Sequence, residues 1–239
     1  MAIDALVVAA HPDDAELIAG GTIAKLVAAK KQVVIADVTR GEKGTRGDPE
    51  TRAAEAARAA GILGVAERTC LDLGDITLQD TYENRMSLAE CIRKYRPVVV
   101  MTHYWEDLHP DHVAIGRMMR DIMYATGFGK LPAAGEPYRP SEMLFFMGHL
   151  PFEPSFVVDV TAFMEQKKKA FECYKSQTYN PSSVEPPTGI SQPDFWSKIE
   201  SRARHYGSMI GTGYGEPFFT RRPVPVVDPV ELYRPFAKL

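Results

Sequence analysis

The chain has 239 residues, 45% hydrophobic and 25% charged, with a formal net charge of −3. That is an ordinary globular balance in a chain long enough for a sizeable core. It argues against a non-specific nucleic-acid binder, which needs a basic field, and no stretch nears the ~20 apolar residues of a membrane-spanning helix.

Residues 3–10 form a continuous apolar run with no basic segment before it, so they read as a buried strand and not a signal peptide. Residues 20–31 follow as a helix with Ile23, Leu26 and Val27 on one face, then 32–38 as a β-branched strand. Residues 49–63 are an Ala-rich helix opened by Pro49 and Glu50. A short strand at 69–73, a helix at 82–95, a strand at 97–102 around Val98-Val99-Val100 and a helix at 111–124 complete the first half. Strands alternating with helices at this spacing predict a Rossmann-like, doubly wound, mostly parallel α/β sheet with strand order beginning 3-2-1-4.

Beyond it, 145–150 and 155–160 read as strands, 163–174 as a helix, 179–193 as a long Pro/Ser/Asn/Gly loop and 196–210 as a helix. The proline-rich tail from 217 reads as irregular. The expected organisation is one domain over 1–239, with a parallel core at about 1–126 and a C-terminal extension at about 140–239. Cys70, Cys91 and Cys173 are odd in number and far apart. They suggest neither a disulfide framework nor a cysteine metal site, and idle thiols fit a reducing, cytoplasmic setting.

Two clusters carry the chemistry. His11-Pro12-Asp13-Asp14 follows the first strand and His109-Pro110-Asp111-His112 follows the fourth. Either alone is an ordinary turn into a capped helix, with Asp111 available as the cap. Strands 1 and 4 are neighbours in the expected order, and their carboxyl ends flank the crevice where such sheets bind ligands. Two His and one carboxylate with an open position match a catalytic zinc site, and also suit Fe(II). Such an ion acidifies water. Asp13, beside Asp14, is placed to act as general base. His109 is left to steady an oxyanion, with Asp111 keeping that imidazole charged and oriented.

These two motifs, with Gly20-Gly21-Thr22 after the first, resemble the LmbE-like (PIG-L) N-acetylglucosaminyl deacetylases. The run from Thr39 to Gly47, with Glu50, Arg52 and Glu55, is similar to the substrate loop of the bacillithiol-biosynthesis deacetylases, as are 151–159, 174–177 and 214–218. The resemblance implies a metal held by His11, Asp14 and His112, Asp13 as base, His109 as electrostatic partner or acid, and Arg52 as a substrate contact. It implies hydrolysis of the acetamide of N-acetylglucosaminyl malate, a small amino-sugar conjugate, by a homo-oligomer that is often a hexamer. It gives no reason to expect a nucleic-acid or membrane partner.

Arg40, Lys43, Arg46 and Arg52 make the loop basic, and arginine forks suit a dicarboxylate. His103, ending the fourth strand, is expected to line the pocket, whereas His149 and His205 read as structural. Several members of the family that the chain resembles use a tyrosine from the C-terminal region near the oxyanion. The nearest candidate positions here carry Phe195 and Trp196, with Tyr206 and Tyr214 further on, so no tyrosine is assigned. Two other readings remain open. The same chemistry on another amino-sugar conjugate or a chitooligosaccharide is not separated by the metal motifs. A non-hydrolytic nucleotide-binding protein is opposed by the missing Gly-x-Gly-x-x-Gly after the first strand.

Overall fold

In the computed structural model, which describes residues 2–234, the chain forms β1 (Ala5–Ala9), α1 (Asp14–Ala28), β2 (Val33–Asp37), α2 (Pro49–Leu63), β3 (Glu67–Cys70), α3 (Tyr82–Tyr95), β4 (Val99–His103) and α4 (Pro110–Ile122). There follow β5 (Glu142–Phe146), β6 (Phe156–Asp159), α5 (Met164–Phe171), α6 (Phe195–Met209), β7 (Gly215–Phe219) and a short α7 (Pro229–Tyr233). The strands make one sheet in the order β3-β2-β1-β4-β5-β7-β6. The pairings from β3 through to β5 are parallel, and β7 runs antiparallel to both β5 and β6.

The sheet is covered on both faces, which explains its unalternating apolar strands. Leu6, Val8, Val34 and Val100 pack with Leu88, Ile92, Ile115 and Met118 of α3 and α4. Val7, Ile35, Met101 and Phe146 pack with Ile23, Leu63 and Phe171 of α1, α2 and α5. The ends of α2 are set by local chemistry: Asp48 accepts the Thr51 N–H at 2.6 Å, and Gly64 closes the helix at φ +76°. Thr81 caps α3 in the same way, from the Asn84 N–H.

The structure corrects several expected boundaries. α1 begins at Asp14 rather than residue 20, so the first motif is itself the helix start. Gly20 and Gly21 lie inside that helix for close packing: a Cβ on Gly21 would meet Val160 Cβ at 2.7 Å. The expected strand at 145–150 stops at Phe146, and 147–149 turn toward the strand ends.

The tail expected to be irregular from 217 supplies β7, inserted between β5 and β6. Phe218 accepts the Ser155 N–H on the β6 side, so the neighbouring Pro217 turns its missing donor toward β5. Pairing with β5 has already ended at Phe218, so nothing is lost there.

Candidate metal centre

The β1–α1 turn and the β4–α4 connection meet above the carboxyl ends of β1 and β4, at the switch point of the sheet. Asp14 is the hub. Its Oδ2 lies 3.1 Å from His11 Nδ1, 3.2 Å from His112 Nε2 and 3.4 Å from His103 Nε2. Burial works to raise the Asp14 carboxyl, but His112 and His11 outweigh it and hold it well below the usual carboxylate range.

His103 does not reach the cavity. It is fully buried, stacked on His112 with ring centroids 3.9 Å apart. Its Nε2 accepts the Ala10 N–H at 3.0 Å, which uses the lone pair a metal would need. Burial pushes its pKa down to about 4, so it stays neutral. The expectation that it lines the pocket is corrected: it backs Asp14 from beneath.

His11 and His112 are both backed by carboxylates. His11 Nε2 lies 3.1 Å from Asp111 Oδ2 and 3.2 Å from Asp75 Oδ1. His112 Nδ1 lies 3.3 Å from Asp107 Oδ1. The bond to Asp111 fixes the His11 ring and frees its Nδ1 for a metal, whereas Asp107 faces His112 Nδ1 as a charge without hydrogen-bond geometry. Zinc–ligand bonds of about 2.0–2.2 Å imply ligand–ligand edges of about 3.3 Å in a tetrahedron. The two edges that Asp14 makes with His11 Nδ1 and His112 Nε2 are close to that length, while the ligand atoms that lie within 4.8 Å of one another group as His11 with His109 and His112, and as Asp14 with His103 and His112. The donor set fits a divalent cation on charge as well. Asp13, Asp14, Asp75, Asp107 and Asp111 converge here, and Arg52 pairs only with Asp13.

The expected pairing of Asp111 with His109 is also corrected. The nearest Asp111 oxygen is 4.0 Å from His109 Nδ1. That oxygen is taken by His11 and by the Ile76 N–H at 2.8 Å. Instead, His109 Nδ1 accepts the Asp111 N–H at 3.2 Å, so His109 caps α4. Its ring proton therefore sits on Nε2. Burial, His11 and His112 lower its pKa, so it is a neutral donor rather than an imidazolium.

Asp13 occupies a strained backbone at φ +111°. Burial is the main force on its carboxyl and pushes it up to about 7, against the pull of Arg52. Arg52 donates to the carbonyls of Pro12 and Gly41 and lies 3.3 Å from Asp13 Oδ2. Gly41 must be glycine for this, since a Cβ would fall 2.0 Å from Arg52 Nη1. Above these groups opens a cavity of about 550 Å³ whose walls include His11, Asp13, Asp14, Arg52, His109 and His112.

Two loop arginines stand elsewhere. Arg40 is half-exposed and pairs with Asp72 at 2.9 Å. Arg46 is buried, donates to Ser183 at 2.9 Å and tethers the 183–185 segment through Glu185. Neither is on the cavity wall. Asp75 and Asp107 were missed by the sequence argument, being lone acids in loops. His149, read as structural, lines the cavity and bonds Asp107 at 2.6 Å. Among the described residues no helix is long and apolar enough to cross a membrane.

The PIG-L family profile, described as GlcNAc-PI de-N-acetylase, matches residues 6–123. A diacetylchitobiose deacetylase of Thermococcus kodakarensis is 32% identical over 223 residues, covering 86% of this chain and 78% of that protein. The chain belongs to the PIG-L family. It is a metal-dependent N-deacetylase, as the profile and these relatives show. Another relative, from Rhodococcus jostii, is a 1D-myo-inositol 2-acetamido-2-deoxy-alpha-D-glucopyranoside deacetylase. It is 27% identical over 244 residues, covering 75% of this chain and 84% of that protein. The conserved protein TT1542 of Thermus thermophilus has the same fold at a TM-score of 0.86. Its identity is 39%, over 94% of this chain and 97% of that one.

Proposed function

We propose that this PIG-L deacetylase hydrolyses the acetamide of an N-acetylglucosamine conjugate, with N-acetylglucosaminyl malate as the substrate and the ion, Zn2+ or Fe2+, held by His11, Asp14 and His112. The observation that carries the reading is the Asp14 hub: two imidazoles at tetrahedral-edge distances, each backed by carboxylate, on the floor of an open cavity. Bound there, a divalent ion supplies Lewis acidity toward the amide oxygen and the attacking water.

The chain's own residues do the rest. Asp13 takes a proton from the water as it adds to the acetyl carbonyl, and Arg52 keeps Asp13 facing the site. His109 offers its Nε2–H to the charge growing on oxygen. The C–N bond breaks, acetate leaves, and the proton held by Asp13 passes to the sugar amine. The same reading carries a cytoplasmic setting, which the free thiols suit, and self-association.

A second substrate, a neutral chitooligosaccharide, is favoured by the Thermococcus relative and by the placement of Arg40 and Arg46 off the cavity wall. Acetate release from N-acetylglucosaminyl malate and from N,N′-diacetylchitobiose, with and without chelator, decides between them. If the malate conjugate is the slower substrate, the malate assignment falls. If neither releases acetate with metal restored, the deacetylation of such sugars falls.

A further inference from the structure

One face of α6 forms a wall of the cavity: Phe195, Lys198, Ile199 and Arg202 recur at helical spacing and all line it. The basic residues of the cavity differ in what they are free to do. Arg52 is committed to Pro12, Gly41 and Asp13. Lys198 is exposed and paired with Asp194 at 2.9 Å, and Lys43 is exposed at the rim.

Arg202 is unlike them. It is partly buried beside Ile18 and Ile199. Its Nη1 donates to the Gly148 carbonyl, and among the described residues Nε and Nη2 have no acceptor and no carboxylate within 4.0 Å. Burial pulls its pKa below the usual guanidinium value. The unused donors are not sealed in the interior and stand free for an anion entering the cavity, while Glu216 and Asp107 act on the guanidinium from beyond 4.0 Å. The free Nε–Nη2 edge is the two-pronged face that fits a carboxylate.

We propose that Arg202 binds a carboxylate carried by the aglycone of the amino-sugar substrate, and that it sets the preference for anionic over neutral conjugates. This rests on the amino-sugar deacetylase reading and assigns to α6 the anion contact that the sequence placed on the glycine-arginine loop. Gly148 precedes His149 and lies against Asp107 and His112, so the anion would be held on the His112 side of the cavity.

The test compares wild type, Arg202→Gln and Arg202→Lys, all metal-loaded, by calorimetric titration with L-malate and with acetate. Arg202→Gln is expected to weaken L-malate by about 10- to 100-fold, the worth of a charge-assisted hydrogen-bonded pair. Arg202→Lys, which keeps the charge but not the fork, should fall between. It also preserves the test should the Gln variant fold poorly. The ratio of kcat/KM for N-acetylglucosaminyl malate to that for N,N′-diacetylchitobiose should fall by a similar factor.

Unchanged L-malate affinity in both variants would overturn the proposal. So would acetate weakened as much as L-malate, since Arg202 would then hold the released product. The titration needs no turnover. A wild type that binds L-malate through Arg202 yet releases no acetate from either sugar would overturn the deacetylation reading and leave Arg202 standing.

Discussion

Replacing Glu216 with alanine should unfold this protein more readily than its distance from the reacting groups suggests. The carboxylate is 2% exposed. It accepts the Gly21 and Thr22 N–H groups of α1 at 3.0 and 2.7 Å, and Lys167 Nζ lies 2.6 Å away. It therefore ties α1, which begins at Asp14, to β7 and α5.

Removing it strands a buried ammonium, at about 3–5 kcal/mol. The Gly21 and Thr22 N–H groups, inside α1, lose their contact with the carboxylate as well. Lys167 can escape part of that cost by losing its proton, and burial already lowers its pKa. The unfolded chain keeps that proton up to about 10.4, so folding of the variant gains as pH rises toward that value. Urea melts at pH 7 and pH 9 should show a loss of about 3–5 kcal/mol at the lower pH and less at the higher. Lys167→Met should cost less, because Glu216 keeps both N–H bonds. A Glu216→Ala cost under about 1 kcal/mol, or no larger than that of Lys167→Met, would refute the reasoning.

Other consequences follow from the charges around the hub. A general base must be ionised to act, and burial pushes Asp13 up to about 7 while a bound dication draws it down. The kcat/KM profile should thus fall on the acid side with a midpoint at or below about 7, and an acid limb unchanged in Asp13→Asn would assign it to another group. Asp107→Ala should weaken metal binding by about 10- to 100-fold, because it removes the carboxylate behind His112. Metal competition with a chromophoric chelator reads that loss, and unchanged affinity would remove Asp107 from the support of the site.

Where local chemistry and periodicity agree, the fold was legible in the sequence. α2 and α3 fall on their expected residues because Asp48, Thr81 and Gly64 cap them. The order 3-2-1-4 follows from strands alternating with helices. α1 was expected too late because the strained Asp13 lets a turn-like motif run straight into a helix. β7 was hidden by Pro217, which is tolerated only because its missing donor faces unpaired space.

In the site, the pairing of the two motifs was readable, but partners within a motif were not. Residues two apart at a helix start do not face each other, so Asp111 turns to His11 and not to His109. Asp75 and Asp107 arrive through loops that carry no periodic signal. The basic loop misled on Arg40 and Arg46, whose partners, Asp72 and Glu185, lie far along the chain.

The division of labour around Asp14 is tested most directly by measuring bound metal and acetate release together on wild type, Asp13→Ala and His11→Ala. Wild type and Asp13→Ala should each retain about one equivalent of metal, while Asp13→Ala loses about 10²- to 10⁴-fold in turnover and His11→Ala loses both. Asp13→Ala losing its metal as fully as His11→Ala, or turnover that survives removal of the metal, would contradict the account.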